Sequence, residues 1–165
     1  MVEFKLADTV SDYLEIERLA AVIWREHYIP IVGKPQVDYM LEKFQSANAV
    51  ENQIADGFDY FIIFYEETAI GYLAIKPEEN ALFLSKIYVL SDFRGKKIGK
   101  KAIVFVEEKA NEFQLNKIRL TVNINNTSAI NAYEKLGFKN NGALVADIGK
   151  GFIMDDFEMV RVVVG

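Results

Sequence analysis

Residues 82–113 constrain the fold more tightly than any other part of the chain. Leu82–Leu90 is a run of apolar, aromatic and branched residues at strand length, and Ser91-Asp92-Phe93 interrupts it. Arg94–Lys101 then carries two glycines, after which Ile98, Ala102, Phe105, Val106, Ala110 and Phe113 recur on one face at helical spacing. A strand that turns through glycines into a helix with one apolar stripe requires a sheet for that stripe to cover. Lys117–Asn123 supplies the next strand, so the centre of the chain reads as a strand-helix-strand unit.

The flanks extend that sheet. Val2–Leu6 alternates as a short strand, and Asp12–Glu26 repeats apolar residues at helical spacing with Ser11 as the expected cap. Pro30, Gly33 and Pro35 are expected to interrupt regular structure before helices at Gln36–Gln45 and Ala49–Ala55. Tyr60–Glu66, Ala69–Lys76 and Leu82–Leu90 suit an antiparallel meander. Thr127–Leu136 reads as a helix closed by Gly137, and two strands follow near Phe138–Asp147 and Phe152–Val164. The order is that of a mixed α/β sheet in a single domain over residues 1–165, with no repeat and no linker.

Composition removes whole classes. Charged residues make up 26% and aromatics 13% of the 165, which excludes a disordered chain. With no cysteine there is no disulfide scaffold, thiolate metal site or cysteine nucleophile. The longest apolar runs, Leu19–Trp24 and Tyr60–Tyr65, are six residues each, against the ~20 of a membrane-spanning helix. Met-Val-Glu-Phe-Lys is no signal peptide, so the expectation is a soluble, cytoplasmic protein without membrane association.

The net charge of −5 argues against nucleic-acid binding and is compatible with a cationic partner. Its distribution matters more. Arg94, Lys96, Lys97, Lys100 and Lys101 put five positives in eight positions, and removing five from −5 leaves −10 on the rest. A glycine turn opening a helix has unpaired N–H groups and the positive end of the helix dipole, a combination that favours phosphate. The nucleotide P-loop is excluded because Lys100, not glycine, stands five residues after Gly95, and the dinucleotide fingerprint is absent. The alternative is a solvated basic helix start.

Two blocks carry a resemblance. Ile87–Gly99 resembles the acetyl-CoA motif of the GNAT superfamily of N-acetyltransferases, Gln/Arg-x-x-Gly-x-Gly/Ala, with Lys97 where the middle glycine usually stands. Asn126–Phe138 resembles the family's Asn-x-x-Ala-x-x-x-Tyr-x-Lys-x-Gly-Phe stretch, about thirty residues on. The resemblance implies a single-domain GNAT fold: a mostly antiparallel sheet of six or seven strands, splayed fourth and fifth strands, and helices on both faces. It implies acetyl-CoA as cosubstrate, no metal, and direct transfer to a primary amine of a polyamine-like small molecule or a peptide. The backbone of Ile87, Tyr88 and Val89 would pair with the pantetheine arm, an N–H near Val89 would polarise the thioester, and Arg94, Gly95, Lys96, Lys97, Ile98, Gly99 and Lys100 would hold the pyrophosphate. Tyr133 takes the place of the general acid, and Asn126 that of a pantetheine contact. Read as residues alone, Tyr133 is equally a half-buried aromatic and Asn126 an N-cap. A homodimer through the terminal strands is a family-level expectation.

The base that frees the amine has no carboxylate on the fourth or fifth strand, where Ser85, Lys86 and Thr121 stand. A water chain or the helical arm remains, and the arm holds Glu26, His27 and Tyr28, with His27 the only histidine. Asp155-Asp156, expected to precede the last strand, could meet a cationic acceptor or form a solvated turn. Trp24, Tyr28, Tyr39 and Tyr72 could wall an ammonium pocket or simply be core. Two rivals from other classes are a non-catalytic CoA-binding module, which Lys97 and the missing carboxylate favour, and a nucleic-acid binder using the basic octapeptide.

Overall fold

The computed structural model describes residues 1–163. Helix α1 (Val10–Val32) starts at Thr9, whose hydroxyl accepts the Asp12 N–H while the Asp12 carboxylate accepts the Thr9 N–H. Ser11, the expected cap, therefore lies inside the helix: the reciprocal pair needs an acid three residues after the cap, and only Thr9 has one in Asp12. Pro30 does not end α1 either. It falls in the last turn, and the helix runs on to Val32 before Gly33, at φ +88°, donates its N–H to the Ile29 carbonyl at 2.9 Å. Helix α2 (Lys34–Gln45) follows at once with Pro35 in its first turn, where a missing N–H costs nothing. Ser46 caps α3 (Ala47–Ala55) by accepting the Ala49 N–H at 3.2 Å.

The strands are β1 (Val2–Leu6), β2 (Asp59–Tyr65), β3 (Thr68–Pro77), β4 (Leu82–Val89), β5 (Lys117–Asn123), β6 (Lys139–Gly149) and β7 (Phe152–Val162); the later helices are α4 (Ile98–Glu112) and α5 (Thr127–Lys135). The sheet order is β1-β2-β3-β4-β5-β7-β6, a seven-stranded mixed sheet in keeping with the α/β reading. The β1–β2, β2–β3, β5–β7 and β6–β7 ladders are antiparallel, and β4–β5 is parallel. Val164, the expected end of the last strand, lies outside the described residues. The described residues form two compact units, 1–76 with 86–104 and 77–85 with 105–163.

In the first unit, α1 buries Ile16, Leu19, Ala20, Ile23 and Trp24, the stripe that a 3.6-residue period dictates. β2 and β3 bury near-continuous runs, Tyr60–Ile63 and Ile70–Ile75, as strands covered on both faces do. Polar groups inside this core form a connected set. Trp24 Nε1 donates to the Tyr72 hydroxyl (2.9 Å), which donates to Gln45 Oε1 (2.5 Å). Gln45 Nε2 donates to the Tyr60 hydroxyl (3.0 Å), and Tyr60 donates to Gln53 Oε1 (2.6 Å). Burial pushes both phenols well above their ordinary range, so they stay protonated.

The second unit is built on β5, which alternates buried Ile118, Leu120 and Val122 with half-buried Arg119 and Thr121. Arg119 grips both carboxylate oxygens of Glu78 at 2.6 and 3.2 Å and lies 4.2 Å from the centre of the Phe83 ring. Arg161 on β7 pairs with Glu107 on α4. No helix among the described residues is long and apolar enough to cross a membrane.

Asp12 sets an acid limit on this fold. Burial pushes its carboxyl up, but hydrogen bonds from Lys5 (2.9 Å), the Asp8 N–H (3.1 Å) and Thr9, with the Lys5 charge, outweigh burial and hold it at about 2. A carboxyl depressed below the usual aspartate value of about 4 stabilises the fold fully above that value. The contribution is lost as pH falls toward 2. Thermal melts of the wild type should therefore drop between pH 5 and 2, and Asp12→Asn should flatten that acid limb while lowering the melting temperature at neutral pH. A limb of unchanged steepness in the variant would assign the loss to other carboxylates.

Candidate functional site

The basic turn belongs to the first unit. Ser91–Phe93 forms one 3-10 turn, and the Arg94 N–H returns to the Ser91 carbonyl at 3.2 Å. Gly95 at φ +83° and Lys97 at φ +61° then take left-handed backbone, which reverses the chain into α4. The Lys97 carbonyl accepts the Lys101 N–H at 3.1 Å, so the N–H groups of Ile98, Gly99 and Lys100 precede the first donor of the helix. A Cβ placed on Gly95 or Gly99 would meet no atom within 4 Å, which leaves open space over both. Ile98 anchors the turn in the core, whereas Arg94, Lys96, Lys97 and Lys100 are exposed. The Lys96 ammonium lies 5.7 Å from the centre of the Tyr65 ring. This arrangement fits a phosphate chain: N–H donors, room for oxygens, and cations around them.

Lys97 explains the departure from the family pattern in backbone terms. The left-handed region costs an L-residue ~1–2 kcal/mol that glycine does not pay. A glycine at this position thus serves chain reversal, and Lys97 makes the same reversal under strain.

Ile87, Tyr88 and Val89 close β4 in the same unit and are all half-exposed. The parallel β4–β5 ladder pairs Leu82 with Ile118 and Phe83 with Arg119. The Tyr88 ring lies 5.4 Å from Trp24 and 5.6 Å from Tyr72, and its hydroxyl shares a 3.0 Å hydrogen bond with that of Tyr28. Trp24 and Tyr72, read as possible pocket walls, are only 2% and 0% exposed: their polar atoms are spent on each other and on Gln45, which makes them core. Tyr39 already has the Lys43 ammonium over its ring at 5.5 Å. Tyr28, Tyr39 and Tyr88 are half-exposed. Glu26 is exposed, and His27, half-buried, packs edge-on to Tyr28 at 4.9 Å. α1 continues past both, so neither lies at a helix end.

In the second unit, Asn126 is 4% exposed and caps α5, accepting the Ala129 N–H at 3.4 Å. Tyr133, half-buried, sits in the last turn of α5. Its carbonyl accepts the Phe138 N–H (3.0 Å), and the Glu134 carbonyl accepts the Gly137 N–H (3.1 Å), with Gly137 at φ +95°. That is a Schellman closure, and its usual apolar contact is the Phe138 ring set edge-on to Tyr133 at 5.7 Å. The Tyr-x-Lys-x-Gly-Phe spacing thus sets the tyrosine ring. A Cβ at Gly137 would come within 3.3 Å of Arg161 Nε. Asp155 and Asp156 do not form a turn. Both lie inside β7, where Asp155 pairs with Val145, and Asp156, 7% exposed, pairs with Leu144 and Asn123. Among the described residues no group of three or more histidines and acids is placed to hold a metal ion.

The family model described as the acetyltransferase (GNAT) family matches residues 16–138. A curated relative, the spermidine N(1)-acetyltransferase of Thermoplasma acidophilum, is 25% identical over 153 residues, covering 89% of this chain and 92% of that protein. The structure of the PaiA N-acetyltransferase from T. acidophilum in complex with coenzyme A superimposes with a TM-score of 0.81 at 22% identity, over 98% of this chain and 99% of that one. A chimera of spermidine N-acetyltransferase from Vibrio cholerae superimposes with a TM-score of 0.69 at 18% identity, over 98% and 95%. With three quarters of its length matched by the family model, this chain is a member of the GNAT acetyltransferase family.

Proposed function

We propose that the protein is an acetyl-CoA-dependent N-acetyltransferase that acts on a primary amine of a small, polyamine-like cation. The observation that carries the donor is the Arg94–Lys100 turn, with its leading N–H groups, open space over Gly95 and Gly99, and ring of exposed cations. The coenzyme A complex of the PaiA enzyme and the two spermidine acetyltransferases support the substrate class, as does the net charge of −5 over the whole chain. The whole chain serves as one acetyltransferase domain, since β4 and α4 each begin in one compact unit and end in the other. β6, an edge strand of the sheet, exposes Leu144 and Val145, which suits the terminal strands to a homodimer.

Acetyl-CoA supplies a thioester whose carbonyl carbon the amine nitrogen attacks and whose sulfur leaves as a thiolate. The turn N–H groups and Arg94, Lys96, Lys97 and Lys100 hold its phosphates. Backbone groups of Ile87–Val89 line its pantetheine, and the Val89 N–H donates to the thioester oxygen. Tyr133 protonates the departing sulfur, a transfer from a phenol of pKa ~10 to a thiolate of conjugate pKa ~8.5. The acceptor ammonium loses its proton to a water chain or to the α1 arm, where Glu26, His27 and Tyr28 stand. The absence of cysteine fits direct transfer, since no thiol is available to carry the acetyl group.

A thiol-release assay across a panel of polyamines, aminoglycosides and peptide amines tests this reading. Release with spermidine-like amines is expected; thermal stabilisation by CoA without release on any amine identifies a binding module instead. Tyr133→Phe should lower kcat by about 10²-fold with CoA affinity unchanged. An unaltered kcat removes Tyr133 as the acid. Lys97→Gly should stabilise the ligand-free protein by about 1 kcal/mol. It should also weaken CoA binding several-fold at low salt, a difference that shrinks at high ionic strength. A lower melting temperature in that variant would contradict the strain at residue 97.

A further inference from the structure

Gly71 lies buried in the interior of β3, where a glycine weakens a strand unless another backbone needs the space. A Cβ built on it would overlap the carbonyl oxygen of Tyr88, and would lie 3.0 Å from the Val89 Cα and 3.1 Å from the Tyr88 carbonyl carbon. These are backbone atoms and cannot swing aside. The glycine also adjoins an irregularity: Ile63 pairs with Gly71 but Phe64 pairs with Ala69, so Ile70 is an extra residue in β3. The Ile70 carbonyl accepts the Leu90 N–H at 2.7 Å. The bulge and the glycine thus act on consecutive residues of one segment, pinning Leu90 and letting the Tyr88 carbonyl press over a bare Cα.

The peptide bond converts this into an orientation. Among the described residues no peptide is cis, and in a trans peptide the C=O and the following N–H point in opposite directions. Because the Tyr88 oxygen faces Gly71 on β3, the Val89 N–H points away from β3. We propose that Gly71 is a positioning residue for the transfer reaction, holding the Tyr88–Val89 peptide so that the Val89 N–H is aimed at the thioester oxygen. This rests on the acetyltransferase reading above and adds to it a residue that touches neither substrate. Any side chain at position 71 rotates or displaces that peptide, while the phosphate turn at Arg94–Lys100 keeps its hold on the donor.

Gly71→Ala tests the assignment through the split between kcat and KM. Its kcat should fall about 10²-fold, the cost of one misplaced oxyanion donor, while the KM for acetyl-CoA stays within about threefold of wild type. A folded Gly71→Ala enzyme with wild-type kcat overturns the role of Gly71 and leaves the acetyltransferase reading intact. Absence of turnover in the wild type itself defeats that reading instead, so the two failures are distinguishable. Should the alanine variant not fold, amide NMR of the wild type decides. The Val89 amide proton should move downfield with a non-cleavable ketone analogue of acetyl-CoA relative to CoA, and no such movement overturns the proposal.

Discussion

The hydrogen-bonded chain through Gln45 is the constraint on which the first unit depends. An amide buried in an apolar core is costly unless every polar atom finds a partner. Gln45 meets that condition by accepting from Tyr72 and donating to Tyr60 and to the Phe44 carbonyl. Gln53 closes the set from α3, and Trp24 from α1. Three helices are thereby tied to β2 and β3 by bonds that no one element can abandon without stranding another. The rings of Trp24 and Tyr72 then receive Tyr88, so the same core that holds the helical arm also seats the end of β4.

What the proposed chemistry asks of the chain is mostly backbone. Under that proposal the turn at Gly95–Lys97 would supply N–H groups and β4 another at Val89, while the one side chain proposed as acid, Tyr133, is set by a helix closure. The lysines add attraction to a geometry already present, concentrating positive charge in a chain that is otherwise acidic. Lys97 shows the relation between the two. It keeps the backbone reversal that a glycine would make freely, and it retains a charge that a glycine lacks.

Legibility followed the range of the interactions involved. Strand-turn-helix order, the five basic residues, and the Asn126–Phe138 block were readable because each is local: a period, a capping pattern, a closure spanning six residues. Helix α1 was harder. Ser11 has the residue type of a cap, but Thr9 has the acidic partner, and Pro30 falls in the last turn, with only two helical residues after it. Trp24 and Tyr72 are ambiguous in sequence because an aromatic on an amphipathic face looks the same whether its polar atom meets solvent or a distant buried group; here the partners are Tyr72 for Trp24, forty-eight residues away, and Gln45 for Tyr72, twenty-seven away. Asp155 and Asp156 were misplaced for the same reason, since their strand position is set by pairing with β5 and β6. Gly71 did leave a local trace, a glycine inside an apolar strand run, but what it accommodates lies seventeen residues on at Tyr88.

Direct transfer, with both substrates held at once and no acetylated enzyme between them, is the claim on which the account turns. Initial velocities measured while acetyl-CoA and spermidine are varied against each other address it directly. Intersecting double-reciprocal lines are predicted, because the amine must attack a thioester already bound by the turn and β4. Parallel lines, the signature of an acetyl-enzyme released from CoA before the amine arrives, would contradict it.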